Sequence, residues 1–302
     1  MPALLLARCT RLHPAALPVA TTVLLWASAF PGIRAALHGF SPAGLASLRF
    51  TIAAIVLLVA SLAIRPRWPR GRDVFRVALA GGVGITAYNL ALNTGELTIS
   101  AGAASFLVNV APLFTALIAA ATIGERVAKR TWFGMIFSLC GVGLIGLGES
   151  GLSGFGWGAA LVLAAALLQA IYFVLQKPVV AAYSPFAATV FAVCAGAILL
   201  LPWLPQALAE AAVAPPGALF AVVYLGIFPA ALAFLAWNYA LRSLPAGQAA
   251  SWLFLVPPTA TLIGLIWPGE IPAPLSLLGG AVALSGVILV NRPAKPRTAA
   301  RL

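Results

Sequence analysis

The second half of the chain repeats the first at a fixed offset of 145 residues, and no other feature restricts the possible folds as tightly. Ala101-Gly102 falls on Ala246-Gly247, Pro112 on Pro257, Leu117-Ile118 on Leu262-Ile263, and Gly124-Glu125 on Gly269-Glu270. With no gap, the same offset pairs Gly81 with Gly226, Asn93 with Asn238, Gly134 with Gly279 and Gly141-Val142 with Gly286-Val287. Chance in Ala/Leu/Gly-rich sequence gives scattered single matches, not dipeptides held in register over roughly 65 residues. One structural unit is therefore used twice. If each unit holds an odd number of membrane helices, the two insert upside down relative to one another, the pattern of inverted-repeat carriers.

Membrane residence follows from composition. Of 302 residues, 62% are hydrophobic and only 8% charged, with a mean hydropathy of +1.05; such a chain is a polytopic membrane protein. The net charge of +12 would suggest nucleic acid in a soluble chain. Here the basic residues sit between apolar runs, where they act as topology signals, so nucleic acid is excluded as a partner. Cys9, Cys140 and Cys194 are too few and too scattered for a disulfide framework, and no Cys/His cluster suggests a metal. Arg8, Arg11, an apolar stretch and Ala27-Ser28-Ala29 imitate a cleaved signal peptide. The apolar run continues through Leu37, and the repeat needs this helix, so retention is expected.

Ten apolar stretches can cross about 30 Å of hydrocarbon. They are Leu17–Leu37, Ala43–Ile64, Val77–Asn93, Thr98–Ile123, Trp132–Leu147, Gly156–Gln176, Pro185–Leu204, Ala218–Leu241, Ala246–Trp267 and Pro274–Val290, five per half. The third and fifth are short and rest on their repeat partners. Every second loop is basic, and all 18 Lys and Arg residues except Arg34 and Arg49 lie in those loops and the two terminal segments. The alternate loops carry Glu96, Glu149, Glu210 and Glu270 with no Lys or Arg, which predicts cytoplasmic termini. Glu125 and its repeat partner Glu270 thus fall on opposite sides, as inversion requires. A weaker offset of 143 pairs Phe30 with Phe173 and Ser41-Pro42 with Ser184-Pro185; each Ser-Pro opens the second helix of its half.

With these elements in place, the chain resembles the drug/metabolite transporter superfamily, in particular its EamA-type exporters. The resemblance rests on the ten spans, the Gly-Glu after the fourth helix of each half, Trp26-Ala27-Ser28-Ala29-Phe30, Leu48-Arg49-Phe50, and Pro112 with Pro257. It covers Leu17 to Val290. The fold it implies is an all-α membrane protein of ten transmembrane helices in two inverted five-helix repeats, residues 15–148 and 155–292. It implies export of amino acids and related metabolites across a bacterial inner membrane without a cofactor, and similarity to the subgroup that exports aromatic amino acids.

Polar side chains inside hydrocarbon are costly unless they face a cavity or a partner. Trp26, Tyr88, Asn109, Gln169, Tyr172, Trp237, Ser251 and Trp252 are the substrate-binding candidates on this ground. An aromatic, amide-lined cavity suits an amphipathic, ring-bearing solute. Trp237 and Tyr239 also fit an interfacial belt, and Asn93 with Asn238 fit capping or inter-helix bonding. Arg49, some seven residues into its span, can hold a substrate carboxylate or anchor backbone carbonyls. Pro112 and Pro257 are hinge candidates because proline interrupts helical hydrogen bonding.

No enzyme signature occurs; Gly141-Val142-Gly143-Leu144-Ile145-Gly146 fits GxGxxG but lies inside a helix, where its glycines favour close packing. No Asp or Glu lies well inside a span. The expectation is therefore a monomeric carrier of small amphipathic solutes, with lipid around it and a dimer as the other arrangement. It would alternate access around a central cavity and work by uniport or exchange without proton coupling. The alternative is a multidrug exporter of organic cations such as methyl viologen, driven by proton antiport.

Overall fold

The computed structural model describes residues 14–98, 101–125, 127–150, 156–266 and 274–291. Cys9, Arg8, Arg11, His13, Arg126, Trp267, Gly269-Glu270 and the basic residues from Arg292 onward lie outside them. No strand occurs among the described residues. The helices are α1 (Ala16–Leu37), α2 (Pro42–Ile64), α3 (Arg72–Gly95), α4 (Ala101–Val108 with Ala111–Thr122), α5 (Lys129–Ser150) and α6 (Trp157–Ala182). They continue with α7 (Pro185–Val213), α8 (Pro216–Ser243), α9 (Ala246–Ser251, Trp252–Leu255 and Val256–Ile266) and α10 (Pro274–Asn291). Seven of these are long and apolar enough by themselves to cross a membrane; α5, the interrupted α9 and α10 complete ten spans in two inverted halves.

The repeat is visible in individual contacts. Ser41 and Ser184 each cap the helix they precede, accepting from Gly44 N–H and Ala187 N–H at 3.1 Å, with Pro42 and Pro185 in the first turn. Asn93 donates to the Pro42 carbonyl at 3.0 Å, and its partner Asn238 donates to Thr189 Oγ1 at 2.7 Å. In both halves the third helix is thus tied to the first turns of the second, the inter-helix bonding the sequence suggests for these asparagines.

Matched glycines set how closely the halves approach. A Cβ on Gly81 of α3 would lie 2.5 Å from the Ala192 carbonyl of α7; one on Gly226 of α8 would meet Ile52 of α2 at 2.8 Å. Each half's third helix therefore crosses the other half's second. Helix α5 packs along α10, where a Cβ on Gly141 would lie 2.4 Å from Ala283 N and one on Gly286 would lie 2.6 Å from the Gly134 carbonyl. The GxGxxG segment is a helix-packing surface, and Ser138 adds a 3.0 Å bond to the Ala283 carbonyl.

Several spans are longer than their apolar cores suggest: α6 runs on to Ala182 and α7 to Val213. Helix α3 starts at Arg72, because Asp73 sits favourably in its first turn beside Arg76 and accepts from Tyr183 at 3.0 Å. Helix α5 extends to Lys129, whose charge a hydropathy window discards.

Because backbone atoms meet at Gly141, Gly141→Ala should overpack the α5/α10 seam by about 1–3 kcal/mol. Gly217→Ala, with open space around it, should be neutral. Thermal unfolding of the two variants in detergent checks this; equal midpoints would contradict the packing.

Candidate functional site

Departures from the α-helix are not scattered. Helix α1 breaks at Ser28, just before Pro31, which has no N–H to return to the Ala27 carbonyl. Helix α4 breaks at Asn109-Val110 before Pro112, and α9 tightens to a 3₁₀ turn over Trp252–Leu255 before Pro257-Pro258. The α4 and α9 irregularities are repeat-equivalent, so Pro112 and Pro257 open the second segments of matched, interrupted helices. Helices α3 and α8 carry π-helical turns at matched places, Gly82–Ala87 and Gly226–Leu232. Helix α6, the repeat partner of α1, has Val174 where α1 has Pro31 and runs unbroken from Trp157 to Ala182, with Pro178 inside it.

Five of the irregular helices, α1, α3, α4, α8 and α9, line one cavity; the 3₁₀ turn of α7 at Leu201–Trp203 lies outside it. The cavity's empty volume is about 580 Å³, the part open at its mouth included. Its lining has an apolar part, Trp26, Phe30, Ile33, Phe234, Leu253 and Val256, and a polar part, Arg49, Tyr88, Asn89, Asn109 and Gln169. The floor behind Trp26 is aromatic: Phe173 stacks on it at 6.1 Å, Phe234 meets it edge-on at 5.4 Å and Trp237 lies at 5.6 Å. Trp26 Nε1 donates to the Pro229 carbonyl at 3.3 Å, inside the α8 π turn, which holds the ring across the two halves.

The polar part is incompletely satisfied. Arg49 is 4% exposed; its Nη1 donates to Asn89 Oδ1 at 3.3 Å, and its Nε has no partner. The guanidinium lies 5.2 Å from the Phe50 ring centre. No carboxylate stands within ion-pair distance: the ion pair among the described residues is Arg76–Asp73. Asn89 is fixed by its own 2.7 Å bond to the Ile85 carbonyl. Asn109 Nδ2 donates to the Ser105 carbonyl at 2.7 Å, leaving its buried Oδ1 free. A cation and a free amide oxygen therefore share the cavity with aromatic rings.

The structure brings Trp26, Tyr88, Asn109 and Gln169 together, with Gln169 Nε2 at 3.5 Å from Tyr88 OH. Pro112 also lines the cavity, whereas Pro257 is buried outside the lining. Tyr172 stands off the wall, packed where a Cβ on Gly84 would be 2.2 Å from its ring. Trp237 is 1% exposed and lies 4.2 Å from Phe173, behind Trp26 and away from any interfacial belt; Tyr239, 47% exposed, fits the belt. Ser251 is buried and returns its hydroxyl to the Gln248 carbonyl. Trp252 packs against the seam of α9 with α5 and α10. Helical periodicity cannot separate a side chain on the wall from one a layer behind it.

Sequence reasoning left Phe30, Asn89 and Phe234 out of the binding set and placed Glu96 in a loop. Glu96 is 4% exposed at the end of α3, and neither carboxylate oxygen has a partner. The signal was available in the i, i+3, i+7 spacing of Asn89, Leu92 and Glu96, two of which line the cavity. Glu125, by contrast, has a structural task. It accepts from Ala246 N–H at 2.9 Å and Gly247 N–H at 3.4 Å, capping α9 across the two halves.

Removing that cap with Glu125→Ala should cost about 1 kcal/mol, read as a lower unfolding midpoint in detergent, with Glu125→Gln losing less. An unchanged midpoint in Glu125→Ala would refute the capping role.

Comparison with known proteins places this geometry. Residues 13–147 and 156–292 each match the EamA-like transporter family. A protein of Streptantibioticus cattleyicolor named "Probable terminal-alkyne amino-acid exporter" is 39% identical over 93% of this chain and 95% of its own length. The Bacillus subtilis transporter YdfC is 38% identical over 87% of this chain and 86% of its own length. The Escherichia coli inner membrane transporter YedA is 27% identical, with 90% of each chain covered. One crystal structure superposes with a TM-score of 0.72 at 23% identity, covering 92% of this chain and 96% of the other, and so shares the fold.

Proposed function

This chain belongs to the EamA-like transporter family, and we propose that it exports aromatic or other neutral amino acids through the cavity between its two halves. It is a membrane transporter and not an enzyme.

The observation that carries the substrate class is the buried, unneutralised Arg49 in a cavity it shares with aromatic rings. A cation removed from water is costly until a counter-charge arrives. A substrate carboxylate supplies it, matched to the planar fork of the guanidinium. The ring or alkyl side chain then lies on Trp26, Phe30 and Phe234, where aromatic contact and area burial favour apolar groups. The name of the S. cattleyicolor relative, an amino-acid exporter, supports the same class. An organic cation such as methyl viologen would meet Arg49 as a like charge, which disfavours the multidrug reading.

Alternating access is assigned to the interrupted helices. Pro112 and Pro257 stand at matched breaks, and bending there moves the second segments of α4 and α9 relative to the rest. One chain supplies the lining of the cavity, which supports action as a monomer. The charge pattern supports an inner-membrane setting with both termini cytoplasmic. In a background lacking Cys9, Cys140 and Cys194, Ala209→Cys should then react with an impermeant maleimide in spheroplasts. Gly71→Cys should react only after permeabilisation, and the reverse pattern would invert the topology.

Counterflow of labelled phenylalanine in proteoliposomes tests the substrate. Unlabelled neutral amino acids should compete; 2-phenylethylamine and methyl viologen should not. A charge-assisted bond contributes about 1.5–3 kcal/mol, so Arg49→Gln should weaken competition roughly 10- to 100-fold. Trp26→Ala should also weaken it, whereas Trp252→Phe, off the wall, should leave it within about twofold. Phenylethylamine competing as well as phenylalanine would overturn the reading.

A further inference from the structure

The absence of proton coupling was expected because no Asp or Glu lies well inside a span. Glu96 stands at a span end, yet it is buried. It is the first residue beyond the span Arg72–Gly95, and its N–H donates to the Leu92 carbonyl at 2.9 Å, so it continues the α3 turn. Leu92 and Asn89, four and seven residues earlier on the same stripe, line the cavity, so Glu96 stands about one helical turn, some 5.4 Å, past the lining. It is 4% exposed, and both oxygens lack hydrogen-bond partners.

The groups that act on it electrostatically are Arg34 of α1 and Arg49 of α2. On its own helix, Tyr88 is the titratable neighbour. The face of α6 against Gly95, formed by Gly158 and Val162, carries no titratable group. Burial pushes the Glu96 carboxyl up to about 8, while Arg34 and Arg49 pull it down. It is thus mainly protonated at neutral pH and becomes a carboxylate as pH rises through that value.

Arg49 and Glu96 are opposite in charge when ionised, both buried and close enough to feel one another, yet no ion pair joins them. Two such groups left apart are what a zwitterion between them would satisfy, carboxylate to Arg49 and ammonium to Glu96. Resting on the amino-acid reading of the cavity, we propose that Glu96 is the ammonium-binding site of the transporter and the site where substrate and proton exclude one another. The arriving ammonium keeps its own protons and requires an ionised carboxylate; the Glu96 proton therefore leaves to water as substrate binds. Protonation of Glu96 removes the ammonium partner and releases the substrate. One proton then moves opposite to each zwitterion, and export is driven by proton entry.

The test uses the purified full chain in weakly buffered detergent near pH 7, with a pH-sensitive dye and phenylalanine as ligand. Wild type should release up to one proton per phenylalanine bound, and its affinity should rise close to tenfold per pH unit below the Glu96 transition. Glu96→Gln should release none and bind with a flat pH profile, while Glu96→Asp, which keeps the carboxyl, should retain release and guard against misfolding. The ammonium-free analogue 3-phenylpropionate should bind wild type without proton release. Phenylalanine binding without proton release in wild type, or undiminished release in Glu96→Gln, overturns the proposal while leaving the amino-acid reading intact. If neither phenylalanine nor phenylpropionate binds, the amino-acid reading fails, and the Glu96 assignment falls with it.

Discussion

Within hydrocarbon a backbone group has no water to bond, so each interruption of a membrane helix must find its partner in protein or face a cavity. The architecture depends on this constraint. Pro31, Pro112 and Pro257 remove donors, and the π turns of α3 and α8 displace others. Spread over lipid-facing surfaces these defects would be prohibitive. Gathered around one space between the halves, they become tolerable and useful together. The Trp26 indole takes up the carbonyl of Pro229 at one of them. Helices α5 and α10, which supply no lining residue, pack along one another, and glycines at Gly81, Gly141 and Gly226 allow backbones to approach where side chains would keep them apart.

The same low dielectric sets the chemistry of the cavity. A guanidinium held by one neutral hydrogen bond and an aromatic ring is an unfinished arrangement, and a buried carboxylate with no partner is another. Such groups are costly to the empty protein and selective for a ligand that completes them. The aromatic side adds affinity for a ring without adding charge. Specificity in this account comes from the charges and their spacing, and tolerance of side-chain type from the apolar wall.

Much of this was legible in the sequence because repetition carries structural information. Register at 145 residues disclosed the two halves, the matched Gly-Glu pairs and the matched prolines, and the structure places helix interruptions at Pro112 and Pro257 alike. Asn93 and Asn238 were readable as inter-helix ties for the same reason. The cavity wall was less legible. Tyr172, Trp237, Ser251 and Trp252 share composition and depth with Trp26 and Tyr88, but contact with the cavity depends on helix rotation and on gaps such as Gly84, which admits the Tyr172 ring. Glu96 escaped because hydropathy ends the span before it, although the helix turn and its burial continue. Conversely Glu125, which the sequence offered only as a mark of the inversion, is occupied in capping α9.

The central claim is that one amino acid sits between Arg49 and the aromatic rings of the cavity. A crystal structure with 4-iodophenylalanine tests it most directly, because the iodine locates the ring by anomalous scattering. The account predicts the iodine peak among Trp26, Phe30 and Phe234, with the ligand carboxylate within hydrogen-bonding distance of Arg49. An iodine peak elsewhere in the helix bundle, or a ligand whose carboxylate points away from Arg49, would contradict it.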